Sequence, residues 1–173
     1  DAYGACGLLI ETPDLKIAYS GDIRLHGYRE NDTINFCKES KNCDVLLIEG
    51  VSVSFQDFGE KLRENEAENE EELIEKINEV VKSNPDKQLT FNYYIANVER
   101  ILNIIKTNPR VVVLDAYFSY VVKEATGIAT YYYQLDNKDY GLDENLRVDF
   151  KELINDESKY FWQLDTLALK YID

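Results

Sequence analysis

The sequence contains no methionine, one histidine, one tryptophan and three prolines. A lone histidine excludes a self-contained zinc site built on histidines, because such sites take three or four His, Cys, Asp or Glu donors. The three cysteines, Cys6, Cys37 and Cys43, show no CxxC spacing. An odd, unspaced set suits reduced thiols in a cytoplasmic protein rather than a disulfide framework, and all three are expected to be small buried hydrophobes. No apolar run approaches the length that a bilayer crossing takes, and no basic-then-apolar leader opens the chain, so neither membrane insertion nor secretion is expected. GxSxG, GxGxxG and GxxxxGK[ST] are missing, which removes the serine-hydrolase elbow and two phosphate-cradling loops. Positive charge is scarce: 19 Lys and Arg against 33 Asp and Glu leave −14. A surface of that sign repels phosphate backbones, so this segment alone is not a nucleic-acid clamp.

What is present is an ordinary globular composition, 45% hydrophobic and 30% charged over 173 residues, enough to bury a real core. The lack of methionine and the opening in mid-phrase on "DAYGACGLLIE" make the sequence read as a piece of a longer chain.

"CGLLIET" and "KIAYS" are β-compatible runs joined by "PDL", which predicts a hairpin. "NDTINFCKESKN" predicts a brief helix capped by Asp32 or Thr33. "DVLLIEG", Asp44 to Gly50, is a continuous apolar run of the kind found in strands buried on both faces. From Val51 to Asn65 the sequence is irregular. Leu73, Ile74, Ile77, Val80 and Val81 then share one helical face, behind a run of glutamates that reads as a solvated helix start. "QLTFNY" and "RVVVLDA" predict strands. Helices are expected after each, around Val98–Ile105 and over "YFSYVVKEATG". In the tail, "IATYYYQLD", "LRVDF" and "YFWQLD" read as strands and "KELINDES" as a helix. Strand and helix alternate, so the expected fold class is α/β: a mainly parallel sheet with helices on both faces, plus the N-terminal hairpin.

Ligands of open parallel sheets bind beyond the carboxyl ends of the strands. Glu49, Asn92 and Asp115 end apolar runs and are expected together at one sheet edge, and Asp22 ends a fourth run. Carboxylates at such positions hold cations or act as general bases; equally, each can cap a helix or solvate a loop. His26 has no partner histidine in the chain and reads as a turn residue.

"IAYSGDIRLHG" sharpens this. Tyr19, Ser20, Gly21, Asp22 and Arg24 match a Tyr-[Ser/Thr]-Gly-Asp-x-[Arg/Lys] phrase. With "DAYGACGLLIETPDLK" before it and "CDVLLIEG" after it, the stretch resembles the later part of a metallo-β-lactamase fold. The likeness is to the β-CASP branch, which includes ribonucleases of the RNase J type. Glu49 and Gly50 match the acidic residue and small residue that end the next strand there, and Val51 stands where that family has threonine. "FNYYIANVERILNII" and "RVVVLDAYFSYVV" resemble the β-CASP insert, with Asn97, Arg100 and Arg110 matching residues common there.

The resemblance implies that residues 1–53 are part of the metallo-β-lactamase domain and 54–173 part of the insert. The hairpin would then belong to an incomplete sheet. It also implies a parent hydrolase of nuclease type acting on RNA, in which two zinc ions lower the pKa of a bridging water. Asp22 would be a catalytic residue and bridging metal ligand, and Glu49 a second catalytic residue close by, positioning a ligand histidine or the attacking water. The HxHxDH motif and the remaining ligand histidines of that family are absent from these residues, so an inactive internal piece without zinc is expected. A small-molecule hydrolase of the same fold, and a non-catalytic acidic interaction module, remain open. A hairpin parted from its sheet exposes an edge, so self-association through residues 6–20 is expected as well.

Overall fold

The computed structural model describes residues 3–50 and 67–164. The chain divides into two units between Leu73 and Ile74.

The first unit holds a three-stranded mixed sheet in the order β1-β2-β3. Strands β1 (Leu8–Glu11) and β2 (Lys16–Tyr19) form the expected antiparallel hairpin, with Leu8 opposite Tyr19 and Glu11 opposite Lys16. Thr12 closes its turn, because the hydroxyl accepts the Leu15 N–H at 2.9 Å. Helix α1 spans Glu30–Glu39 and starts earlier than expected, with no side-chain cap. The Thr33 hydroxyl is occupied elsewhere, donating to the Arg24 carbonyl at 3.2 Å. Strand β3 (Val45–Leu47) runs parallel to β2, pinned at its start by Asp44, whose carboxylate accepts the Lys16 N–H at 2.7 Å.

Two expectations fail in this unit. Strand β3 is exposed rather than buried on both faces: Leu46 and Leu47, on opposite faces, are each 52% accessible. It is an edge strand beside β2 and takes no part in the all-parallel sheet, so its apolar run signalled a strand but not a cover. The cysteines are not core residues either, since Cys6 and Cys37 are exposed and Cys43 is half-buried.

The second unit is the α/β body. Helix α2 (Glu70–Ser83) crosses the division. It is followed by β4 (Leu89–Phe91), α3 (Val98–Thr107), β5 (Val111–Asp115), α4 (Ala116–Thr126), β6 (Tyr131–Tyr133), α5 (Phe150–Asn155) and β7 (Tyr160–Gln163). The four strands form one sheet in the order β4-β7-β5-β6, every neighbouring pair parallel. Period-2 alternation divides the core between its faces. Val112, Leu114 and Phe161 pack with Ile74 and Val81 of α2, Ile101 and Ile104 of α3 and Val122 of α4. Val113, Tyr160 and Trp162 pack on the other face with Leu153 of α5. The α/β class with helices on both faces is therefore the fold of this unit. Gly127, in the left-handed region at φ +75°, ends α4.

Arg110 fastens this body at the start of β5. Its guanidinium donates to the carbonyls of Asn84, Pro85, Lys87, Glu157 and Tyr160 at 2.6–3.3 Å.

"LRVDF" is not a strand. Asp143 accepts the Asn145 N–H and Asp149 the Lys151 N–H, so the two aspartates cap a 3-10 turn at Glu144–Leu146 and the start of α5. Only a single bridge, Arg147 to Tyr132, joins the sheet. The irregular segment and the expected 53/54 domain boundary lie outside the described residues.

Candidate functional site

In the first unit, β2 and β3 are the one parallel pair, and their carboxyl ends adjoin at Tyr19 and Leu47. The chain leaves β2 through Ser20, whose N–H donates to the Leu47 carbonyl at 2.9 Å and whose buried hydroxyl donates to the Gly21 carbonyl at 2.6 Å. Gly21 then turns the chain at φ +57°, where a Cβ would come within 2.9 Å of the Cys6 carbonyl oxygen. A residue with a side chain meets both a backbone penalty and a clash there, so the glycine of the Ser-Gly-Asp phrase is dictated by packing.

Asp22 follows, exposed, on a cavity of about 150 Å³ lined also by Cys6, Ser20, Ile23, Arg29 and Phe36. Glu49 leaves the end of β3 and reaches across, and its Oε1 accepts the Ile23 N–H at 3.0 Å. The Glu49 carboxylate is thus bonded to the amide that follows Asp22, at the carboxyl ends of adjacent strands. His26 is exposed on the same turn, where its carbonyl accepts the Glu70 N–H at 3.2 Å.

The expected grouping of Glu49 with Asn92 and Asp115 is not observed. Glu49 follows β3 of the first sheet, while Asn92 follows β4 and Asp115 ends β5 at the carboxyl ends of the parallel sheet. At that edge each polar side chain is engaged locally. Asp115 caps α4 through the Tyr117 N–H at 2.9 Å, and its own N–H donates to Gln163 Oε1 at 3.1 Å. Asn92 Oδ1 accepts the Tyr93 N–H at 2.8 Å. Beyond β6, Tyr140 donates to Asp136 at 2.8 Å; burial and that carboxylate push the Tyr140 phenol up to about 12. Asp136, Tyr140, Glu144 and Arg147 help to line a cavity of about 440 Å³.

Among the described residues no group of three or more His, Cys, Asp or Glu side chains could hold a metal. Asp22 and Glu49 are two carboxylates, fewer than the three donors a bound zinc takes, so they do not fit a complete zinc site. The residue missed by sequence reasoning is Glu70, which is buried and faces Arg24 at 3.8 Å. Nothing distinguishes it in the sequence from the glutamates around it.

No protein-family model matches the chain, and no curated protein does. Among solved structures the chain is similar to the crystal structure of a protein of unknown function from Enterococcus faecalis V583. The two are 39% identical with a TM-score of 0.88 over 95% of this chain, which spans 39% of that one. Among the described residues no helix is long and apolar enough to cross a membrane.

Proposed function

We propose that this chain is part of a metal-dependent hydrolase of the metallo-β-lactamase, β-CASP type, a cytoplasmic zinc enzyme that cleaves RNA phosphodiester bonds in its full-length form. One observation carries the reading: Asp22 and Glu49 emerge from the carboxyl ends of adjacent parallel strands, with Glu49 bonded to the amide next to Asp22. Asp22 would offer one carboxylate to the metal, and Glu49 would fix the direction of the turn that carries it. The remaining donors would come from sequence outside these 173 residues. A match spanning 39% of a similar protein's chain accords with that division. The net charge of −14 favours a second reading, a small-molecule hydrolase of the same fold, because nucleases line their channels with Lys and Arg.

The test is hydrolysis by the full-length protein of a 5′-labelled RNA and of a set of small esters, lactams and phosphodiesters, before and after chelation. RNA cleavage that is lost on chelation, returns with zinc and is absent in Asp22→Asn is the expected result. Turnover of the small substrates alone establishes the second reading. Chelator-resistant turnover, or none with either class, removes both.

A further inference from the structure

Glu70 is the one buried acidic residue among those described, 5% exposed, although the glutamates around it read as a solvated helix start. It is the first residue of α2, where a helix leaves its N–H groups without intrahelical acceptors. Its N–H donates to the His26 carbonyl at 3.2 Å, and its carboxylate lies 3.8 Å from the Arg24 guanidinium. Thr33 holds the Arg24 carbonyl from α1, and Glu49 holds the Ile23 amide from β3. Ile23, Arg24 and His26, just past Asp22, are therefore gripped from three places in the chain, and Glu70 supplies two of the grips, one through its side chain and one through its backbone N–H.

We propose that Glu70 is a positioning residue for Asp22: through Arg24 and the His26 carbonyl it fixes the Ile23–His26 backbone, and so the direction of the Asp22 carboxylate. Its value for catalysis rests on the hydrolase reading above, but the positioning itself does not. A carboxylate at a helix start is favoured by the helix dipole whether exposed or not, so the dipole alone does not account for burying this one. Burial beside a guanidinium makes the pair costly to break from one side, which suits a support that holds the backbone next to a carboxylate. Glu71 and Glu75, exposed on the same helix, could supply the dipole term without that constraint.

Hydrogen exchange of the 173-residue chain tests this, with the buried Ala18 amide of β2 as internal reference. In Glu70→Gln the Ile23 amide should exchange about tenfold faster relative to Ala18, less than the loss of one partner of a fully buried pair brings, because Arg24 is 26% exposed. The swapped pair Arg24→Glu with Glu70→Arg should bring the Ile23 rate back towards that of the wild type. Should Glu70→Gln loosen the whole unit, Glu70→Asp replaces it in the same comparison. An unchanged ratio of Ile23 to Ala18 exchange, or a swap that rescues nothing, overturns the proposal. In the full-length protein Glu70→Gln should lower kcat for RNA with KM unchanged. If the wild-type protein turns over no substrate, the hydrolase reading falls while the exchange ratio still decides the positioning.

Discussion

Glu49 Oε1 accepts the backbone N–H of Ile23 at 3.0 Å, across the carboxyl ends of β3 and β2. The bond fastens the turn that Gly21 begins, from the side of β3. Glu49→Ala leaves that amide to water and should cost the first unit about 1.5 kcal/mol, the low end for a hydrogen bond to a charged group because this bond is exposed. Urea unfolding followed through the hairpin checks the loss. An unchanged midpoint would mean that the turn holds itself.

Gly21→Ala should be more damaging. It adds a Cβ within 2.9 Å of the Cys6 carbonyl and places alanine at φ +57°. The left-handed backbone alone costs about 1–2 kcal/mol, before the clash. Thermal unfolding should show the drop, whereas Gly141→Ala, also at positive φ but with open space around it, should lose only the backbone part.

Arg110→Ala removes one guanidinium from five carbonyls that belong to two segments, 84–87 and 157–160. Hydrogen bonds to a charged group contribute about 1.5–3 kcal/mol each and are not additive, so a loss of about 3 kcal/mol or more is expected. Arg110→Lys should recover little, because an ammonium has three donors and no planar fork. Denaturant midpoints of the three proteins give the comparison.

Acid should loosen the second unit through Glu152. Hydrogen bonds from the Lys159 ammonium at 2.8 Å and from the Tyr160 phenol hold its carboxyl below the ordinary 4.5. Its folded pKa lies below the unfolded one, so its contribution is present above about pH 4.5 and is lost as pH falls through the folded value. Stability measured against pH should therefore fall less steeply below pH 4.5 in Glu152→Gln than in the wild type. Parallel curves would show that the carboxylate contributes nothing.

The outer edge of β1 is unpaired within its sheet, and Leu8 and Ile10 beside it are 48% and 45% exposed. An open apolar edge is a template for pairing with a second chain. Sedimentation of this chain should show concentration-dependent dimers that Ile10→Lys disperses. A strictly monomeric wild type at high concentration ends the idea.

The α/β body was legible because its signals are local and repeated. The face of α2 and the runs "RVVVLD" and "YFWQ" each carry their period without help from distant residues. The Asp22 turn was legible through a phrase, and Glu49 through its place at a strand end. What escaped depends on assembly. An apolar run such as "VLLI" fixes a strand, while its exposure depends on which sheet it joins. The "LRVDF" alternation was overridden by two aspartate caps, each worth about 1 kcal/mol, more than a five-residue pattern can resist. Glu70 was hidden because one glutamate in a run cannot be told from its neighbours until Arg24 is placed beside it.

The last strand among the described residues is an inner strand of its sheet. β7 lies between β4 and β5, which do not touch each other through hydrogen bonds, so residues 160–163 are the keystone of an arch begun some seventy residues earlier. On a ribosome, β5 and β6 can pair as soon as they emerge, but β4 waits with its ladder unmet until Tyr160–Gln163 follows. Chains grow at about 5–20 residues per second, so that interval lasts seconds, longer than hairpin and helix formation by orders of magnitude. Throughout it, the amides of β4 and β5 that β7 will take, and the apolar side chains that Phe161 and Trp162 will cover, face the cell. Open ladders and uncovered apolar faces pair readily with other chains, so the stretch between β4 and β7 is where this unit is most exposed to misassembly while it is being made.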